Sequence, residues 1–349
     1  MWRQLVLSTL LIQSAQAANL AFSRNARTFE TQNSSLVTKG LAHACLSLVD
    51  IPDGLSCNPA MIPLNSKSSL GFQLLLSNGY AALNQVKSLL DGNITQQQID
   101  AMFAQGKITQ IEAGSDIIFK SKYLSGKFTP MTIKGFSAVR NEANPDVELY
   151  SVQENGFTFQ SGMKFTEGLY GGIQARFANR KFIRQNFKLL VLGTPAGQAL
   201  LKPKEQSAAY FEPSLTYFFK GSWKPRLTAM IANLGSVSQE YSEQLPTPLE
   251  GQIGIAISPQ LGWGNMDFTL DYRSMSYEEP DAWERVRAGV IYHFGSMYLT
   301  GGLDANGISG GVFYSVDKFN AGIMYSTTRF INEDEYYTQT VYVQLGWQI

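Results

Sequence analysis

From about Gln110 to the C-terminus, apolar and polar residues alternate with a period of two. Met266, Phe268, Leu270 and Tyr272 fall on one face, against Asp267, Thr269, Asp271 and Arg273 on the other. Val286, Ala288, Val290, Tyr292 and Phe294 likewise oppose Arg285, Arg287, Gly289, Ile291 and His293, and Ile253, Ile255 and Ile257 oppose Gln252, Gly254, Ala256 and Ser258. A period of two belongs to β-strands. The runs are ~8–11 residues, enough to cross a bilayer as tilted strands. A soluble sandwich alternates too, but its strands are usually ~5–6 residues. Aromatic residues gather near the ends of the runs: Tyr217, Phe218, Phe219, Trp223, Trp263, Tyr272, Trp283, Phe294, Tyr298, Tyr325 and Trp347. That distribution fits the interfacial girdles of membrane barrels. The expected fold is therefore all-β, an antiparallel transmembrane β-barrel.

Charge supports this by exclusion. Lys and Arg number 28 and so do Asp and Glu, so there is no basic excess for nucleic acid. Aromatics at 12% with only 16% charged residues argue against disorder. Residues 1–17 carry one early cation, Arg3, an apolar stretch from Leu5 to Ile12 and a small-x-small ending at Ala15-Gln16-Ala17. This is the pattern of a signal peptide, with cleavage expected after Ala17. At the other end, Val341, Val343, Leu345, Trp347 and Ile349 alternate with Thr340, Tyr342, Gln344, Gly346 and Gln348. A last strand of this kind resembles the signal read by the barrel assembly machinery. The expected location is the outer membrane of a Gram-negative bacterium.

Sixteen segments read as strands, among them Asp146–Gln153, Gly156–Lys164, Leu169–Asn179 and Phe182–Val191. Some are pieces of one strand, so the expected number is fourteen, within a range of twelve to sixteen; bacterial barrels have even numbers. Residues 79–106 interrupt them. Leu83, Val86, Leu89 and Leu90 have helical spacing, and Thr95 with Gln98 forms a capping box before Ile99, Met102 and Phe103. This helical hairpin is expected on the periplasmic side or in the lumen. Gly193–Gln206 and Val237–Pro248 read as loops.

Residues 40–60 read GLAHACLSLVDIPDGLSCNPA. Asp50, the turn at Pro52-Asp53-Gly54 and the block Asn58-Pro59-Ala60 form a candidate hatch motif. Pro59 biases Asn58 away from helix and so marks an element boundary; an ordinary turn is the competing reading. Cys45 and Cys57 are open to two readings, a disulfide formed on export or two buried thiols. With only His43 and His293 as histidines, no metal-ligand spacing surrounds the cysteines.

This motif resembles the N-terminal signature of FadL-like outer-membrane barrels, especially the TraF and PorV branch. RLTAMIANLG at 226–235, the segment 246–259 and the segment 283–294 are similar to strands of that family. The resemblance implies that residues 18–65 form a hatch entering the lumen of a barrel made by 66–349. It implies a channel or transporter for hydrophobic small molecules, with a greasy outer pocket and a gap or kink in the wall. The alternative it offers is a non-transporting, PorV-like partner in secretion or surface attachment. No cofactor is expected; the expected partners are outer-membrane lipid, the assembly machinery and a hydrophobic ligand.

Charged residues on strands must point away from lipid, because a lipid-facing Arg or Lys at the midplane costs about 2–4 kcal/mol. Glu112, Asp116, Arg176, Asp267, Asp271, Arg273, Arg285, Arg287 and His293 are accordingly expected to line the lumen. Either they form a hydrated, salt-bridged interior or they select what passes. A Gly-x-Ser-x-Gly sequence occurs at 307–311, near Asp304 and His293. A nucleophile elbow needs a strand–turn–helix context. Here the sequence opens an alternating strand, with Ser309 and His293 both on lumenal faces, so no enzyme is expected.

Overall fold

The computed structural model describes residues 35–349 apart from 66–67, 104–108, 141–144, 240, 242–246, 248, 263, 276–284, 306, 317 and 330–336. The expected signal peptide, 1–17, and residues 18–34 of the expected hatch therefore lie outside the described residues.

Fourteen antiparallel staves close on themselves. In chain order they are β1 (Ser69–Ser77), β2 (Thr109–Lys120), β3 (Leu124–Arg140), β4 (Asp146–Thr166), β5 (Leu169–Lys188) and β6 (Lys204–Phe218). Then follow β7 (Arg226–Ala232, continued by Leu234–Val237), β8 (Glu250–Ile257, continued by Gln260–Leu261), β9 (Gly264–Met275) and β10 (Val286–Phe294). The last four are β11 (Met297–Asp304), β12 (Gly307–Val316), β13 (Phe319–Arg329) and β14 (Tyr337–Gln348). Each pairs with its chain neighbour, and β1 pairs with β14, Leu74 opposite Leu345. Closure removes the sheet edges, as a bilayer demands.

The count of fourteen arises because two pairs of sequence segments are single strands. Asn155-Gly156 reads as a break but stays in the ladder, opposite Asn179 and Ala178. The polar stretch Asn179–Lys181 also stays in register, opposite Ser207–Glu205. Further differences from expectation are local. Gly193–Gln206 is not merely a loop: Pro195–Leu200 is helical, with Thr194 Oγ1 accepting from the Gly197 N–H at 3.1 Å. Trp263 and Trp283 fall outside the described residues. Phe218 and Tyr298 share the parity of the buried residues Thr216 and Thr300, so they turn inward rather than joining the girdle.

Alternation sorts the two faces. In β7, Leu227, Ala229 and Ile231 are exposed while Arg226, Thr228, Met230 and Ala232 are buried. In β8, Ile253 and Ile255 are exposed and Gln252, Gly254 and Ala256 buried. The exposed face is an apolar belt around the barrel, with Phe72, Leu74, Phe177, Phe211, Leu270, Ile323 and Leu345 among its members. Water does not tolerate an apolar surface of that extent; hydrocarbon does.

One end of the barrel has short turns, such as Glu167-Gly168 and Gly295-Ser296. The other end carries the long connections from Ser77 to Thr109 and from Lys188 to Lys204. Short turns mark the periplasmic side and long loops the outside. Strands β3, β4 and β5 run 17, 21 and 20 residues, well beyond the ~9–11 needed to cross. Their excess projects on the long-loop side. There, Val147 and Leu149 share the parity of the exposed Phe157 and Phe159, yet they are buried. Helical segments cover them. Leu83, Val86 and Leu90 of the helix Leu83–Leu90 pack on Ile111 and Ile133. Leu89, Ile99, Leu192 and Leu201 pack on Val147, Leu149, Ile183 and Phe187. The capping box is present, Gln98 N–H donating to Thr95 Oγ1 at 3.3 Å and Thr95 N–H to Gln98 Oε1 at 2.9 Å. The hairpin is thus neither periplasmic nor lumenal. It shields the outer face of strands that have left the membrane, a position its own sequence does not encode.

Candidate functional site

Residues 35–65 run through the barrel interior. The segment starts with a one-turn helix, Leu36–Gly40, every residue of which is buried. Ser35 and Thr38 cap it reciprocally, Thr38 N–H to Ser35 Oγ at 3.2 Å and Ser35 N–H to Thr38 Oγ1 at 2.9 Å. Leu36, Val37, Leu41, Leu48 and Ile51 pack against Ile291, Phe313, Met324 and Tyr342, which point inward from β10, β12, β13 and β14. On this side the lumen is a packed apolar core, not the hydrated interior expected from a barrel's default polarity. Close approach depends on glycine. A Cβ at Gly302 would collide with the Leu41–Ala42 backbone, and one at Gly172 with the Pro59–Ala60 backbone.

Polar anchors tie the segment to the wall around its circumference. Asp271 Oδ2 accepts the backbone N–H groups of Cys45 and Leu46 at 2.8 and 2.9 Å. They follow a turn whose Ala42 and His43 have φ of 50° and 61°. Gln344 Oε1 accepts from Leu36 N–H at 3.2 Å. Lys39 reaches Glu112 at 2.9 Å, and Lys134 reaches the other oxygen of that carboxylate at 3.4 Å. Ser309 Oγ donates to Gly40 O and accepts from Ala42 N–H, both at 3.1 Å. Gln160 donates to Ser56 O at 2.7 Å, and Arg226 to Ser47 O.

The hatch-motif residues divide by role. Asp53 is buried; its Oδ2 accepts from Val37 N–H at 3.0 Å and its carbonyl from the Gln73 amide. Gly54 lies against Ser35, and Pro52 is half-buried beside it. Asp50 faces outward at the periplasmic end, 3.7 Å from Lys120. Asn58 is fully buried and caps the 3-10 turn Pro59–Leu64: its Oδ1 accepts from Ala60 N–H at 2.9 Å and its amide donates to Thr216 at 2.7 Å. Cys45 and Cys57 are joined as a disulfide. A cross-link over a loop of this size stabilises by about 3 kcal/mol in the chain-entropy account. Reduction, or the Cys45→Ser/Cys57→Ser variant, is therefore expected to speed proteolysis of residues 45–57. The barrel itself should keep its heat-modifiable electrophoretic migration.

The nine charged candidates are not one cluster. Glu112, Asp271 and Arg273 touch the interior segment, Arg273 through His43 O at 3.5 Å. Asp271 sits opposite Arg287 in the ladder. Asp267 pairs with Arg226 at 2.9 Å and with His293 at 3.3 Å near the periplasmic end. Asp116 accepts from Thr129 at 2.6 Å and lies 3.6 Å from Lys127. Arg176 pairs with Glu212 at 3.0 Å and stacks over Tyr210. Arg285 precedes its strand and donates to the hydroxyl of Tyr272, an outer-face residue, at 3.1 Å, so it sits at the rim. Asp304 closes a turn by accepting from Gly307 N–H at 2.9 Å. Ser309 and His293 thus bond to different groups. Lys39, Ser309, Arg226, Gln160 and Gln344 emerge as anchors that the motif reading missed. Alternation already placed Ser309 and Gln344 on the polar face; their partners were illegible.

Two further features bear on passage. In β3, Pro130 and Met131 face the single residue Asn155 of β4, and the register against β2 shifts at Asp116. This bulge inverts the strand's parity: Lys127 and Thr129 point inward below it, Lys134 above it. Proline contributes no N–H there, which thins the ladder at mid-wall. Above the interior segment, Tyr150, Val152 and Phe182 form a cluster with Phe136 and Tyr241 at the outer mouth. Arg180 and Glu154 pair below them at 2.6 Å.

Neither a protein-family profile nor any curated protein matches the sequence. Solved structures do. The CymD monoaromatic hydrocarbon channel superposes with a TM-score of 0.53 at 11% identity, over 92% of this chain and 98% of that one. A Pseudomonas aeruginosa FadL homologue gives 0.50 at 10% identity, over 92% and 99%. The fold is that of the FadL-like barrels. A closed barrel of this type, wrapped in an apolar belt, is an outer-membrane protein of a Gram-negative bacterium.

Proposed function

We propose that this FadL-like barrel admits hydrophobic small molecules across the outer membrane, with residues 18–65 as its hatch once residues 1–17 are removed. The observation that carries the reading is the near full-length fold match to a protein described as a monoaromatic hydrocarbon channel. The aromatic cluster at the outer mouth offers an apolar landing site. The bulge in β3 offers a lateral way out through the wall. In this reading the charged residues inside position the hatch, and no covalent chemistry takes place.

The test is uptake of radiolabelled toluene and of a long-chain fatty acid by host cells lacking their own transporters. Expression of the barrel should raise uptake of at least one. Deleting Met131, which restores one-to-one pairing across the bulge, should return uptake to background while the barrel still folds. Unchanged uptake in that variant would remove the lateral route.

The dense anchoring of residues 35–65 favours a second reading, a PorV-like barrel that serves as a secretion or attachment partner. It predicts no uptake of either compound, with or without the hatch. Insertion through the barrel assembly machinery belongs to both readings.

A further inference from the structure

The periplasmic rim is electrically lopsided. The turn between β2 and β3 holds Lys122-Tyr123, and the turn between β6 and β7 holds Phe219-Lys220 and Trp223-Lys224. Between them, β4 ends in Lys164-Phe165. Each lysine is adjacent to an aromatic residue, and the aromatics are open: Tyr123 is 71% exposed, Phe165 55%, Phe219 48% and Trp223 59%. The one acid in these turns is Glu167, 3.6 Å from Lys220. The opposite arc also has exposed aromatics, Phe294, Phe319 and Trp347. Its connections at 258–263 and 295–296 carry no charge, and in the β12–β13 connection Lys318 follows Asp317 in sequence. Exposed aromatics thus occur on both arcs, while among the described periplasmic turns the net positive charge falls on the β2–β7 arc.

Aromatic rings of this kind rest at headgroup level. A lysine beside one lays its methylenes along apolar surface and lifts its ammonium to the polar layer. Lys122 Nζ lies 5.8 Å from the centre of the Tyr123 ring. At that depth the complementary charge is the phosphate of a lipid. A zwitterionic headgroup offsets that phosphate with its own cation; an anionic headgroup does not. We infer that the periplasmic rim of β2–β7 is a binding surface for anionic phospholipids of the inner leaflet. The same arc includes the bulged strand β3, so these lipids form the bilayer next to the thinned wall. The inference does not depend on what the barrel transports.

The test uses the full barrel reconstituted in nanodiscs with equal phosphatidylglycerol and phosphatidylethanolamine, extracted gently and read by native mass spectrometry. The wild type should retain phosphatidylglycerol preferentially, and 0.5 M salt, chosen to shorten the screening length to about 4 Å, should abolish the preference. Lys122→Gln/Lys224→Gln should reduce the preference about tenfold or more, on the basis of roughly fivefold per lysine. Lys318→Gln, on the opposite arc, should leave it intact. Equal retention of both lipids by the wild type would overturn the inference. So would a preference that survives the double substitution, or one that Lys318→Gln removes. If the arc instead fits an acidic periplasmic protein, the wild type will show no lipid preference, which also overturns it.

Discussion

Asp271→Ala should open the barrel. Its carboxylate accepts two backbone N–H groups, from Cys45 and Leu46, and is buried between the strand faces. Hydrogen bonds to a charged group contribute about 1.5–3 kcal/mol each, so losing the pair weakens the seating of the interior segment by roughly 3–6 kcal/mol. The substitution also takes a negative charge from the neighbourhood of Arg273 and Arg287, both buried. In planar bilayers the wild type should be nearly silent and the variant should show flickering openings. Asp271→Asn, which keeps an acceptor, should fall between them. A variant as silent as the wild type, with residues 35–65 still protected from protease, would show that the segment is held by packing alone.

Glu112→Ala is expected to loosen the same segment at its helical end by about 3–5 kcal/mol, the usual cost of leaving a buried charge without its partner. Lys39 is the stranded group: its side chain is 8% exposed, it lies 2.9 Å from the carboxylate and it stacks over Tyr342 at 5.1 Å. Lys134, at 18%, has a shorter way to water. The loss should therefore be recovered by removing the charge on Lys39 as well. Glu112→Met/Lys39→Met should restore hydrogen-exchange protection of residues 36–41 to near the wild-type level, because an apolar pair of similar volume replaces a buried ion pair at little net cost. If the double variant is as loose as Glu112→Ala, the pair acts through geometry rather than through charge burial.

The wall was largely legible in the sequence and its filling was not. Ile253 and Ile255 against Gln252 and Gly254 already separate lipid from interior, because a two-residue period leaves only two faces. The errors came where the bilayer stops acting on the outer face and where a bulge interrupts the period. Asn179 and Lys181 point outward from β5 above the membrane, so the alternation fails there and one strand reads as two. Pro130 and Met131 reverse the parity of β3, so its alternation does not run through the bulge to the strand's start at Leu124. Inside, sequence reading gave Glu112 and Asp271 a generic lumen role and placed Asn58 in the hatch motif, in each case without a partner. Their partners, Lys39, the Cys45–Leu46 backbone and Thr216, are 73 to 226 residues away in the chain. Local pattern carries no information over that separation. Ser309 shows the same limit: its Gly-x-Ser-x-Gly setting drew attention to catalysis, whereas its hydroxyl holds Gly40 and Ala42.

The central claim is that the exposed apolar face of every strand meets hydrocarbon. Spin labels placed singly from Glu250 to Ile257 in the reconstituted barrel, with accessibility to oxygen and to a water-soluble nickel chelate measured at each position, test it most directly. Labels at Ile253, Ile255 and Ile257 should be open to oxygen and closed to nickel, and those at Gln252, Gly254 and Ala256 should be sheltered from both. An accessibility profile without that two-residue period, or nickel collisions at Ile253 and Ile255 equal to those of a water-exposed turn, would contradict the account.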